Sequence, residues 1–304
     1  MRTINKDLKK TYLFAVIYAI IMGLSFLFVK IALNYSNPLN ILAHRFTFAF
    51  VFIFILKIFK VININVSRKD ILKILPLSIL YPALFFTFQT FGLVYMPSSE
   101  AGIILATVPV FTLIFATIFL KEKTTIFQKV SVFISVLGVI YIMYNKGIDF
   151  KSANFIGIVL ITLSAISLAS YNVVARVKTR EFKTIDLTYV MTFVGFITFN
   201  ILSIVDSINK GNISSYFNPL SNINFIIAIL YLGVLSSVIT SFLSNYVLSK
   251  LDASKMSVFA NLGTVITILA GVLILKEELF YYHIIGIIMI VVGIIGTNLK
   301  FKKK

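Results

Sequence analysis

The chain has 304 residues, of which 59% are hydrophobic. Its mean hydropathy is +0.99, against roughly 45–50% apolar residues in a soluble domain, so a soluble globular protein is excluded. With 28 basic and 11 acidic residues the formal net charge is +17, and there is no cysteine. The missing thiols exclude disulfides, thiolate nucleophiles and zinc–thiolate centres.

Apolar runs of bilayer-crossing length recur along the whole chain, ten in all. The first, 11–33, is long and lacks a small-residue cleavage site, so it reads as a retained span; Lys30 lies near its end. The second, 39–60, carries Arg45 about two turns in. The third, 71–95, holds Gln89 between Phe85 and Gly92, with Pro76 and Pro82 upstream. The fourth, 99–120, opens on Glu100, contains Pro109 and closes on Leu120-Lys121-Glu122. The fifth, 126–144, has a central Gly138 and leads into the polar loop 145–149. The sixth, 153–175, carries Asn172, and the seventh is 186–206. The eighth, 223–248, bears Ser236, Ser237, Thr240, Ser241, Ser244 and Asn245. The ninth, 255–275, contains Asn261 and the four-residue spacing Gly263, Thr267, Gly271, then closes on Leu275-Lys276-Glu277. The tenth, 280–299, has Gly293.

The charge follows this threading. With the N-terminus in the cytoplasm, 22 of the 28 basic residues fall on the cytoplasmic side, and Lys146, Lys151, Lys210 and Lys276 fall outside. That is the positive-inside bias, with both termini cytoplasmic. The basic charge therefore orients the chain against anionic membrane lipids, and no nucleic-acid partner is expected.

The two halves repeat. The run 106–123 returns at 261–278, an offset of 155 that pairs Val110 with Val265, Thr112 with Thr267, the two Leu-Lys-Glu endings and Gly138 with Gly293. An offset of 146 pairs Lys30 with Arg176. Five spans per half is an odd number, so the second copy must cross the membrane in the opposite sense. The sequence predicts an all-α integral membrane protein with ten transmembrane helices in two inverted five-helix repeats, 12–145 and 153–299.

The ordered set of features resembles the EamA-type transporters of the drug/metabolite transporter superfamily. It comprises Gly23-Leu24-Ser25 to Lys30 in the first span, Pro38 and Arg45-Phe46 in the second, the Leu-Lys-Glu endings, and Gly138 and Gly293 in the following spans. Lysine stands where the family ending Leu-Gly-Glu has glycine, and Thr264 stands where Pro109 would repeat. The resemblance covers about residues 12–298. It implies a central cavity, a small-molecule substrate of the amino-acid or metabolite kind, and no cofactor.

Polar groups inside a bilayer are costly and mark pathways. The six polar residues of the eighth span are spaced one, three, one, three and one apart, on one helix face. Such a stripe either lines a wet cavity or packs against neighbouring helices. The same choice holds for Gln89, which the repeat pairs with Ser244, and for the amides of Asn172, Asn245 and Asn261. Lys30, Arg45 and Glu100 fall toward the outer side. They either snorkel to headgroups, pair Arg45 or Lys30 with Glu100 in an outer gate, or hold a substrate carboxylate. Tyr12, Tyr35, Tyr95, Tyr141, Tyr144, Tyr281 and Tyr282 lie near span ends as an interfacial belt. His44 and His283 are too isolated for a metal site.

No acidic residue lies at mid-depth in any span. That disfavours a proton-coupled exporter of cations and favours a neutral or zwitterionic solute. No phosphate-binding Gly-X-X-X-X-Gly-Lys run and no hydrolase motif occurs. The expectation is a non-enzymatic transporter of an amino-acid-like metabolite in the cell membrane, working by alternating access. Export of drugs or nucleosides is the alternative within transport. A membrane enzyme, with acid and base groups converging at the headgroup surface, or a lipid-handling scaffold without a cavity, is the rival from another class.

Overall fold

A computed structural model describes residues 2–121, 125–146 and 153–298. Its long helices are α1 (Arg2–Leu33), α2 (Pro38–Ile58), α3 (Arg68–Tyr95), α4 (Ser98–Phe119), α5 (Ile126–Lys146), α6 (Ala153–Lys178), α7 (Thr184–Asn209), α8 (Ile223–Lys250), α9 (Ala253–Leu273) and α10 (Tyr281–Asn298). No strand occurs among the described residues. Seven of these helices, α1 to α4 and α6 to α8, are long and apolar enough to cross a membrane. In the other three the apolar stretch over described residues is shorter, at 126–142, 262–273 and 281–293. Large apolar side chains such as Ile118, Phe119, Leu273 and Ile288 are exposed on the outside of the bundle, a surface suited to lipid.

Local chemistry sets the helix starts. Asn37 caps α2 by accepting from the Asn40 amide at 3.0 Å, with Pro38 at the first position. Ser67 and Asp70 form a reciprocal capping box that opens α3.

Three of the helices are not continuous α-helix. In α3, Ile79–Leu84 is a kink at which Tyr81 is extended (φ −147°, ψ 114°); Tyr231–Ile239 of α8 is a π-helical turn, and α4 breaks at Ala106–Thr107 just before Pro109. The kink in α3 contains Pro82, whose ring cannot continue an α-helical ladder. At an offset of 155, Ile79–Leu84 maps onto 234–239, inside the π turn of α8.

The packing has a regular form. Helix α1 lies on α9 and α8, and α6 lies on α4 and α3; α2 meets α8, and α7 meets α3. The pairs α2–α7, α4–α9 and α5–α10 complete the bundle. Exchanging each helix with the one five places on leaves this pattern unchanged. The α5–α10 contact is close enough that a Cβ on Gly286 would sit 2.9 Å from the Gly138 carbonyl oxygen.

Candidate functional site

Where α1, α3, α4, α6 and α9 meet in the bundle they line a cavity of about 30 Å³. Tyr18, Met22, Gly23 and Phe26 of α1 line it, with Phe85, Gly102, Leu105, Val108, Leu168, Gly263, Thr264 and Thr267. That volume holds about one water molecule. Small residues bring the backbones together here. A Cβ on Gly23 would lie 2.5 Å from the Gly263 carbonyl oxygen. Thr267 donates to the carbonyl oxygen of Gly23 at 2.9 Å, and Thr264 to that of Gly102 at 3.2 Å. Met22 and Leu168 are counterparts at the offset of 146, and Val108 and Gly263 at 155.

Beside this cavity runs a buried polar band built on α8. The fully buried Arg45 of α2 donates from Nε to Ser237 Oγ at 2.8 Å, and from Nη2 to the Ser236 carbonyl oxygen and Oγ at 3.0 and 2.9 Å. Its guanidinium lies 3.6 Å from the centroid of the Phe86 ring, a cation–π contact. Thr240 donates to the Ser236 carbonyl oxygen at 2.8 Å, and the Tyr81 hydroxyl stands 3.5 Å from Thr240 Oγ1. Tyr171 stacks on Tyr81 with centroids 4.8 Å apart, and its hydroxyl donates to Asn245 Oδ1 at 3.0 Å and Ser244 Oγ at 3.3 Å. Ser241 and Asn245 lean on the Met191 sulfur at 3.9 and 3.7 Å. All six residues of the stripe are buried, hydrogen-bonded across α2, α3, α6 and α7, and none lines the central cavity.

The other expected residues are placed as follows. Gln89 is completely buried on α3, with both amide atoms lacking a hydrogen-bond partner. Asn172 is buried on α6. Asn261 belongs to α9, and its side chain lies outside the described residues, as does all of Glu122. Arg45 faces α8, where its Nε and Nη2 donate to Ser237 and Ser236, and Glu100 stands in the first turn of α4. His44 Nε2 donates to the Tyr216 carbonyl oxygen at 2.7 Å, and His283 Nδ1 accepts from the Phe280 amide at 3.1 Å.

Lys30 lines a second cavity of about 430 Å³, open to the surface where α1 and α3 end and α4 begins. Asn34, Tyr95, Pro97 and Glu277 share it. Glu277 follows α9 and reaches across to the start of α4: its Oε1 accepts from Ser98 N and Ser98 Oγ, and its Oε2 from Ser99 N, all at 2.8 Å. Gly271 leaves the space for that carboxylate, since a Cβ there would collide with Glu277 Oε2. Burial acts to raise the Glu277 pKa, but the hydrogen bonds from Ser99 and Ser98 outweigh it and hold the carboxyl below the ordinary range.

Sequence reading passed over Tyr18, Tyr81, Tyr171 and Met22. Position was the available signal for the tyrosines: each lies within a span, where a hydroxyl needs a partner, and not at its end. Met22 carried no such mark.

Comparison with known proteins accords with this arrangement. A family model described as the EamA-like transporter family matches residues 9–144 and again 155–299. An uncharacterized transporter of Bacillus subtilis strain 168, YcxC, is 49% identical over 96% of this chain and 94% of its own length. An uncharacterized transporter of Archaeoglobus fulgidus is 28% identical over 90% and 92%. A solved crystal structure with 16% identity superposes with a TM-score of 0.67 over 95% of this chain and 96% of the other, which speaks to the fold. Apolar helices crossing at a small central cavity, the doubled family match and the near-full-length relatives together mean that this multi-pass membrane protein belongs to the EamA-like transporter family.

Proposed function

We propose that the protein carries a small neutral or zwitterionic metabolite, of the amino-acid kind, across the cell membrane by alternating access. In this reading all ten long helices span the bilayer, as two inverted five-helix repeats with both termini cytoplasmic. The observation that carries it is the central cavity: α1 and α4 of the first copy meet α6 and α9 of the second there, through the counterpart pairs Met22/Leu168 and Val108/Gly263. A site shared by two inverted copies can open to either side by rocking one against the other. The cavity at the mouth, beside Lys30 and Glu277, supplies the approach from the outer face. None of the residues lining the central cavity is acidic, so it holds no carboxylate to exchange a proton for a cationic solute.

The aromatic walls, Tyr18, Phe26 and Phe85, favour one second reading, export of drugs or nucleosides. Counterflow in proteoliposomes separates the two. Labelled amino acids are expected to accumulate against an unlabelled internal pool. Accumulation of nucleosides or cationic dyes alone would replace the first reading by the second, and no counterflow of any of them would remove both.

A further inference from the structure

We propose that Arg45 is the anchor for the solute's carboxylate, approached from the central cavity past Met22. The proposal rests on the amino-acid reading above and names the group that would read the acid. Arg45 is completely buried at the α2–α8 crossing. Among the described residues no carboxylate is ion-paired to it. Its partners, the hydroxyls of Ser236 and Ser237, the Ser236 carbonyl and the Phe86 ring face, are all neutral. Nη1 has no partner at all. A buried cation without a counter-charge is costly, and a guanidinium edge with free N–H groups is shaped for a carboxylate.

The group is rigidly held. Nε and Nη2 are held by α8, and α2 and α8 approach so closely that a Cβ on Gly233 would lie only 2.7 Å from the Arg45 carbonyl oxygen. One side chain links it to the cavity. Ser236 Oγ, a ligand of Arg45, is 4.0 Å from the sulfur of Met22, and Met22 lines the cavity wall. Methionine is unbranched and readily changes rotamer, so it serves as a movable partition. When it swings aside, an acid in the enlarged cavity can take the vacant N–H groups of Nη1 while Ser236 and Ser237 keep the guanidinium in place.

The test uses the full-length protein in proteoliposomes. Counterflow of a panel of labelled L-amino acids is competed with each unlabelled acid, its carboxamide and its descarboxy amine. With wild-type protein the amide and the amine are expected to compete about tenfold or more weakly than the acid. Arg45→Gln should lose that discrimination, so that acid and amide compete alike, and Arg45→Lys should retain part of it. A role confined to stapling the π turn of α8 would lower all uptake and leave the acid-to-amide ratio unchanged, which overturns the anchor. Equal competition by acid and amide in wild type also overturns it, without needing any variant to fold, and leaves the amino-acid reading standing. If wild type carries only nucleosides or dyes, the amino-acid reading itself falls and the anchor falls with it.

Discussion

Lys121 and Lys276 both adopt the left-handed backbone conformation, with φ of 54° and 57°. They are the middle residues of the two Leu-Lys-Glu endings, where the family ending that this sequence resembles has glycine. Glycine reaches positive φ without the Cβ clash that costs other residues about 1–2 kcal/mol. The sequence departure is therefore tolerated strain, twice over, at equivalent places. Replacing Lys276 by Gly is expected to stabilise the protein by about 1 kcal/mol, a rise of about 2 °C in thermal unfolding in detergent. Lys276→Val should lower it, because a β-branched residue fits that conformation worst. The same scale governs Gly23. Its hydrogen faces the Gly263 carbonyl oxygen, with the Ile266 side chain 2.8 Å from where a Cβ would stand. Gly23→Val should force α1 from α9 and destabilise by about 1–3 kcal/mol, measurable in the same unfolding scan.

At the scale of helices, the Glu277 carboxylate ties the chain after α9 to the start of α4. A carboxylate there meets unpaired amides at the positive end of a helix, so charge and hydrogen bonding act together. Glu277→Gln keeps the shape and removes the charge; it should cost about 1–3 kcal/mol and make Cys placed at Ser98 more reactive to maleimide. The pH dependence has a definite sign. Because the folded pKa is depressed below the ordinary 4.5, the contribution is complete above that value and is lost as pH falls through the lower folded value. Wild type should therefore lose this share of stability only in acid, and Glu277→Gln should lack that acid-side decline in a pH series of melting temperatures. Helix boundaries were legible in the sequence to within a few residues, since apolar length and caps are local, except at the start of α1, which begins at Arg2 in the polar stretch ahead of the apolar run. The kink of α3, the π turn of α8 and the break in α4 were not, apart from the prolines, because tertiary contacts such as Tyr231 to the Ile21 carbonyl accompany the widened backbone of α8. The stripe on α8 was legible as a face. Its partners Arg45, Tyr81 and Tyr171 were not, since they come from far along the chain and spacing says nothing of which helix lies opposite.

For the whole molecule, several independent observations share one symmetry. The packing pattern is unchanged when each helix is exchanged with the one five places on, the kink of α3 and the π turn of α8 fall in equivalent places, and so do the left-handed lysines. In the proposed reading, with five spans in each copy, the second copy is upside down, and Lys121 and Lys276 then lie on opposite faces of the membrane. The chain contains no cysteine, so each site can be addressed singly. Both lysines are exposed at helix ends, where a cysteine would meet solvent. In intact cells Lys276→Cys is expected to react with a membrane-impermeant maleimide, and Lys121→Cys only after permeabilisation. Reaction of both from the outside would mean an even number of crossings between them; α5 to α9 could not then all span, and the proposal of a solute site shared by two opposed copies would be lost.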